Sequence, residues 1–307
     1  MIEFKQSCLL VNKPVGISSN NTLKKIKKKL NQKKAGFSGT LDPLASGLLL
    51  IFFNKATKLC SSFLNSDKSY SALIRLGVTS ATGDLDGEII KKLPIPNLAE
   101  INIKKLEKKF TGIIEQTPPM YSALKHKGIR MYEYARKGIE IERPKRSVTI
   151  NNISLSLHDE EHLLLKVNCS KGTYIRSLAE TIGEEIGCGA LVANLQRTKI
   201  GEIDISNAVN LENLLSCTTE EIIDKYIINV DLLLKNIPSC KLLETDLKKI
   251  LNGDKIKINK KASKVVKIYD SYNMFIGVGE INVNGELLPK KILVSVSYTH
   301  LTLPTKA

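Results

Sequence analysis

Tryptophan is absent from the 307 residues, aromatic side chains amount to 5%, and there are four histidines. With so few rings, no stretch offers the wide aromatic-rich amphipathic face of a membrane-surface helix, which argues against a peripheral membrane protein. The scarcity of histidine argues against a metal centre. His158 and His162, in His158-Asp159-Glu160-Glu161-His162, have the spacing of a zinc-protease helix, but Asp stands in the second position. The flanks 148–157 and 163–169 alternate as strands do, so this stretch reads as a hairpin turn. The six cysteines (8, 60, 169, 188, 217 and 240) form no C-x-x-C pair, which fits buried thiols in a reducing cytoplasm. Long apolar runs are missing too: the longest, residues 48–53, is far too short to span a bilayer. Residues 1–11 lack the basic flank and long apolar core of a signal peptide, so a cytoplasmic protein is expected.

Basic charge, by contrast, is abundant. Lys and Arg number 46 against 31 Asp and Glu, a formal charge of +15. Such an excess favours nucleic acid or an anionic membrane as partner, although Lys-rich coding bias supplies part of it. The hydrophobic and charged fractions, 42% and 25%, are those of a globular chain long enough for one large domain and a smaller one.

Along the chain, residues 7–12 read as a strand closed by Lys13-Pro14-Val15-Gly16. Residues 20–34 place Leu23, Ile26 and Leu30 on one helical face and Lys24, Lys25, Lys27, Lys28 and Lys29 on the others. Taken alone, that lysine face fits a solvated surface as well as a phosphate contact. Residues 70–76 read as a strand, 103–110 as a short helix ending at Gly112, and 131–137 as a helix ending at Gly138. The clearest helix is 173–187, with Ile175, Leu178, Ala179, Ile182 and Ile186 on one stripe and Gly187 as its cap. Strands with single helices and no regular βαβ spacing predict an α+β domain with a mixed or antiparallel sheet. After about residue 235, turn signals between short apolar runs predict a small all-β module. Residues 295–307, with Val296-Ser297-Tyr298-Thr299-His300-Leu301-Thr302-Leu303-Pro304-Thr305, read as a non-native tail translated from a sequencing adapter.

The most informative stretch is Gly36-Phe37-Ser38-Gly39-Thr40-Leu41-Asp42-Pro43-Leu44-Ala45-Ser46-Gly47, which sets one acid among three glycines just after the lysine-rich segment. Glycine permits close backbone approach and Pro43 fixes the chain direction, so the acid is held still in a loop. Local composition alone favours an ordinary turn with a solvated Asp. Three further segments change that reading: Asn12-Lys13-Pro14-Val15-Gly16-Ile17-Ser18-Ser19, Asp67-Lys68-Ser69-Tyr70, and Cys169-Ser170-Lys171-Gly172-Thr173-Tyr174-Ile175-Arg176. With Gln116-Thr117-Pro118-Pro119-Met120-Tyr121-Ser122-Ala123-Leu124-Lys125 and Gly187-Cys188-Gly189-Ala190 between or after them, the chain from about residue 8 to 294 resembles the bacterial tRNA pseudouridine-55 synthases, the TruB family. Pro43-Leu44-Ala45-Ser46-Gly47 is similar to the stand-alone bacterial branch rather than to relatives that depend on a guide RNA.

The resemblance implies a pseudouridine-synthase fold over 1–235 and a small PUA-like β module over 236–294, for which Phe275-Ile276-Gly277-Val278-Gly279 is the best match. It implies conversion of a T-loop uridine of tRNA to pseudouridine by a monomer, with no cofactor, metal or guide RNA, and contact of the β module with the acceptor end. Asp42 matches the catalytic aspartate, Arg176 its basic partner, and Tyr70 the ring that lies against the flipped uracil. On their own residue types, Arg176 reads as a surface arginine at a helix start and Tyr70 as a core strand residue. Three roles stay open for Asp42: addition to the uracil ring, attack on the sugar carbon, or removal of a sugar proton. An Asp beneath a nucleobase has its pKa raised by desolvation unless a cation is close, and Arg176 is expected to keep it ionised. Lys13, Lys58, Lys125, Arg143, Lys171 and Tyr174 lie in or near matched motifs and are candidate RNA contacts, although a solvated surface charge is the default for each Lys and Arg. Two positions depart from the family pattern. Phe37 stands where most relatives have His, at the loop position that fills the space left by the flipped base. Ala81 stands where relatives commonly have Asp, ahead of the segment 83–87. Those departures support an alternative, an RNA-binding folding chaperone with weak or lost catalysis.

Overall fold

The structure, a computed structural model, describes residues 4–294, and the expected adapter-derived tail at 295–307 lies outside the described residues. The main sheet runs Val209–Asn210, Ser7–Lys13, Ala45–Phe53, Ala190–Ile200, Lys68–Leu76, His162–Cys169, Arg146–Leu157 and Gly112–Gln116. Two pairings are parallel, Ser7–Lys13 with Val209–Asn210 and Ala45–Phe53 with Ala190–Ile200, and the others along this path are antiparallel. The mixed sheet is the one expected from the element pattern.

The apolar run 48–53 is explained by burial on both faces of the strand Ala45–Phe53. Leu49, Ile51 and Phe53 pack with Leu9, Val11 and the helix residues Leu23, Ile26 and Leu30. Leu48, Leu50 and Phe52 face the other way, where Phe275, Val278 and Leu293 of the C-terminal segment meet them. Further along the sheet, Ala72, Ile74, Leu76, Leu165 and Val167 pack against Leu178, Ala179 and Ile182 of the helix Ile175–Ile186. That helix ends at Gly187, whose φ of 91° is the left-handed cap its position requires.

Three sequence expectations shift. The lysine-rich helix spans Ser19–Lys29, short of residue 34, because Asn31 turns to a φ of 49° and leaves the helical path. The helix expected to reach 137 is the shorter Met131–Ala135. The C-terminal segment forms a second sheet, ordered Ser239–Lys241, Ser263–Tyr269, Phe275–Ile281, Glu286–Ile292 and Ile256–Lys257, but it is not all-β. A helix, Glu244–Asn252, packs Leu247, Ile250 and Leu251 beneath it and stops at Gly253 with a φ of 93°. The stretch 158–162 is the expected hairpin turn, closed by a His158 N–H to His162 carbonyl bond of 2.9 Å.

Candidate active site

The loop carrying Asp42 is tied down on both sides by the segment 13–19. Ser18 caps the helix by accepting from the Asn21 N–H at 3.2 Å. The next residue, Ser19, is buried and exchanges two bonds with Leu41: its hydroxyl donates to the Leu41 carbonyl at 3.0 Å and accepts from the Leu41 N–H at 2.8 Å. On the far side of the acid, the Pro43 carbonyl accepts from the Gly16 N–H at 2.8 Å. Asp42 therefore projects from a backbone fixed immediately before and after it. Its side chain stays 42% exposed.

Arg176 reaches this carboxylate from the first turn of the helix Ile175–Ile186. One guanidinium nitrogen lies 2.8 Å from Asp42 Oδ2, while the guanidinium as a whole is only 5% exposed. The same side chain donates to the carbonyls of Thr82 at 2.7 Å and Tyr121 at 2.8 Å, and lies 3.6 Å from Asp84 Oδ2. The arginine is thus held by four groups, one of which is the exposed acid. Desolvation nevertheless raises the Asp42 pKa, with Arg176 the foremost opposing influence and Lys13 a lesser one. Arg176 stands against the acid as expected, where it limits a rise that burial imposes.

Tyr70 lies on the strand Lys68–Leu76, half-buried, and packs against the core cluster that contains Leu41 and Ala45 beside the acid. Burial pushes its phenol up, and the Arg197 guanidinium beside it works the other way. The Asp42 carboxylate is near enough to influence the Tyr70 phenol, so the ring lies in the neighbourhood of the Asp42–Arg176 pair.

The candidate RNA contacts are scattered. Lys13 is corrected outright: it is fully buried, its ammonium donates to the carbonyls of Pro14 at 2.8 Å and Ile17 at 2.7 Å, and burial lowers its pKa to about 8. It serves the turn rather than offering charge to a phosphate. Lys58, in the short helical turn Asn54–Leu59, is exposed and bonded to the Ile292 carbonyl of the second sheet at 2.6 Å. Lys171 is exposed and meets Asn65 Oδ1 at 2.9 Å. Lys125 is exposed on the small hairpin of Lys125–His126 and Ile129–Arg130. Arg143 is engaged locally, with the Pro118 carbonyl at 3.2 Å and Glu140 at 3.5 Å. Tyr174 lies beneath the Arg146 guanidinium, 4.8 Å from its ring centroid, and its backbone exchanges bonds of 2.7 and 2.9 Å with buried Gln116. Phe37 is in the short strand Ala35–Ser38 opposite Ile51, half-buried against the apolar layer.

Two residues of the site escaped the sequence reading. Asp84 is buried within the segment 83–87, bonded to the Thr82 hydroxyl and to the Asp86 N–H, and faces Arg176. Despite Ala81, that segment delivers a second acid to the arginine. The other is Arg197, buried beneath the loop. A signal for it exists: strand alternation from Leu195 puts position 197 on the inward face. Among the described residues, no group of three His, Cys, Asp or Glu is arranged to hold a metal ion, and no helix is long and apolar enough to cross a membrane.

Comparison with known proteins matches this chain to the TruB family pseudouridylate synthase N-terminal domain over residues 27–175. The tRNA pseudouridylate synthase B C-terminal domain matches 176–235, and the C-terminal domain of pseudouridine synthase II TruB matches 238–293. A protein of Nitrosococcus oceani named tRNA pseudouridine synthase B is 41% identical over 292 residues, 94% of this chain and 95% of its own length. The chain belongs to the TruB family of pseudouridylate synthases. A second relative of the same name, from Azoarcus sp. (strain BH72), is 42% identical over 94% of each chain. Among solved structures, a Cbf5-Nop10-Gar1 complex contains a chain that superposes with a TM-score of 0.72, covering 95% of this synthase and 86% of that chain at 23% identity, which shows a shared fold.

Proposed function

We propose that this TruB family member isomerises the T-loop uridine at tRNA position 55 to pseudouridine, as a monomer and without cofactor or guide RNA. The observation that carries the reading is the 2.8 Å contact between Arg176 and Asp42, in which a buried guanidinium holds an acid that remains partly open to solvent. The uracil of a folded T-loop is inaccessible, so it must leave its stack before reaction. Tyr70 offers the ring for the extruded base, and base–aromatic stacking is worth ~1–3 kcal/mol. The C1′–N1 bond breaks, the uracil turns, and a C1′–C5 bond forms. C5 gives up its proton and N1 gains one, so no oxidant or water is consumed. Asp42 in its ionised form supports this by acting on the ring or the ribose, with Arg176 limiting the cost of a charge partly shielded from water. In this reading residues 1–235 hold the chemistry, and residues 236–294 contact the acceptor end of the tRNA. Lys58, Lys125 and Lys171 contribute phosphate contacts.

The test is to incubate the protein with an unmodified tRNA transcript and map pseudouridine by position. Product at the T-loop uridine is expected with the wild-type chain, and none above background with Asp42→Asn at unchanged tRNA affinity. Tight binding by wild-type protein with no product would instead identify an RNA-folding chaperone.

A further inference from the structure

Arg197 is among the largest side chains that are fully buried, at 1% exposure. It sits on the strand Ala190–Ile200, in register with Gly47 on one neighbouring strand and Tyr70 on the other. Its Nε donates to the Leu48 carbonyl at 2.8 Å and an Nη donates to the Gly39 carbonyl at 2.9 Å. The third partner is the Tyr70 phenol. None of these is a carboxylate, and among the described residues Arg197 forms no ion pair. A guanidinium buried this way is lowered by desolvation, and an apolar side chain of similar volume is often the more stable filling. The loop is also shaped around it. A Cβ on Gly39 would stand 3.0 Å from an Arg197 Nη; at Gly47 the close approach is between backbones, with such a Cβ 2.3 Å from the Arg197 carbonyl oxygen.

We propose that Arg197 is a positioning residue, whose planar guanidinium clamps the entry of the Asp42 loop at Gly39 and its exit at Leu48 to the Tyr70 phenol. Acid and ring are then held at one separation before RNA arrives. Only a fork of fixed donors bonds both carbonyls while lying against the phenol; an ammonium is a point charge on a flexible stem. The effect on catalysis rests on the reaction proposed above, so the test carries one readout that needs no turnover.

In full-length Arg197→Lys, the charge stays and the fork is lost. Peptide hydrogen exchange is expected to rise over 36–48 and 68–76 and to stay at the wild-type level in the C-terminal sheet. Single-turnover pseudouridine formation should fall roughly 100-fold with tRNA affinity within about threefold of wild type. Tyr70→Phe, which cuts the same clamp at the phenol, should also loosen 36–41, and adding Arg197→Lys to it should cost less than in the wild-type background. Wild-type exchange over 36–48 in both variants would overturn the proposal. So would exchange rising throughout the protein, or a rate loss that is equal in the two backgrounds. Should the wild-type chain make no pseudouridine, the reaction assignment falls, while the exchange pattern still decides the clamp. Should Arg197→Lys not fold, exchange over 36–41 in Tyr70→Phe decides it.

Discussion

The Asp42 loop has two cationic sides built on opposite plans. On the Arg176 side the guanidinium pairs with two acids, one of them partly exposed. On the Arg197 side the cation is sealed from solvent and faces carbonyls and a phenol. A cation that faces an acid changes how readily the acid takes a proton. A cation that faces carbonyls cannot do this to its partners, and it acts by fixing where the backbone lies. One side therefore tunes charge and the other fixes position, so substitutions on the two sides should fail in different ways.

The largest effect is expected from Arg176→Gln, which removes the cation while leaving the desolvation that raises Asp42. Turnover should fall on the order of 100- to 1,000-fold. With Asp42 acting in its ionised form, as proposed, the rate should decline as pH drops through its raised pKa, and without Arg176 that decline should begin at higher pH. Arg197→Lys should lower the rate without moving the decline; a shift in both variants would erase the contrast between the two sides. Gly47→Ala comes next: a φ of 113° and a Cβ 2.3 Å from a carbonyl oxygen should cost about 2–4 kcal/mol in urea unfolding. A smaller change is expected from Lys13→Met. Lys13 opposes the rise of the Asp42 pKa less than Arg176 does, so the acid decline should move in the same direction by less. Its own lowered pKa gives a second readout, because the unfolded chain binds the proton more tightly. The stability difference should shift in favour of the wild-type chain as pH rises from about 8 toward 10.5. The smallest is Lys171→Ala, which should weaken tRNA binding evenly across substrates and reduce the salt slope by about 1. An unchanged slope would remove Lys171 from the RNA path.

Much of the charge-tuning side was legible in the sequence. Asp42 stood out as an acid among glycines, and Tyr70 and Arg176 came with recognisable neighbours. The position-fixing side was not, because Lys and Arg are surface residues by default and burial is set by strand register rather than residue type. Arg197, between Gln196 and Thr198, reads by residue type as an ordinary exposed cation, and only the alternation from Leu195 points it inward. Lys13 misled for the same reason: its motif was noticed, but its side chain folds back over its own turn. Asp84, three residues after Ala81, is by residue type an ordinary surface acid, and only the fold buries it against Arg176. In the C-terminal segment the helix Glu244–Asn252 is hidden because Gly253 counts among the turn signals between short apolar runs, when it is the cap that ends a helix. The layered core, by contrast, followed from periodicity, as in the stripe of Ile175–Ile186.

The strand Ala45–Phe53 begins just after the acid, and one of its faces is part of the packing that holds the C-terminal sheet. It works as a ruler cut into the body of the protein: one mark is the Asp42 carboxylate, the other the outlying sheet. Under the proposed function a tRNA that touches both must match that span, so the length of its arm becomes a second criterion beside its loop.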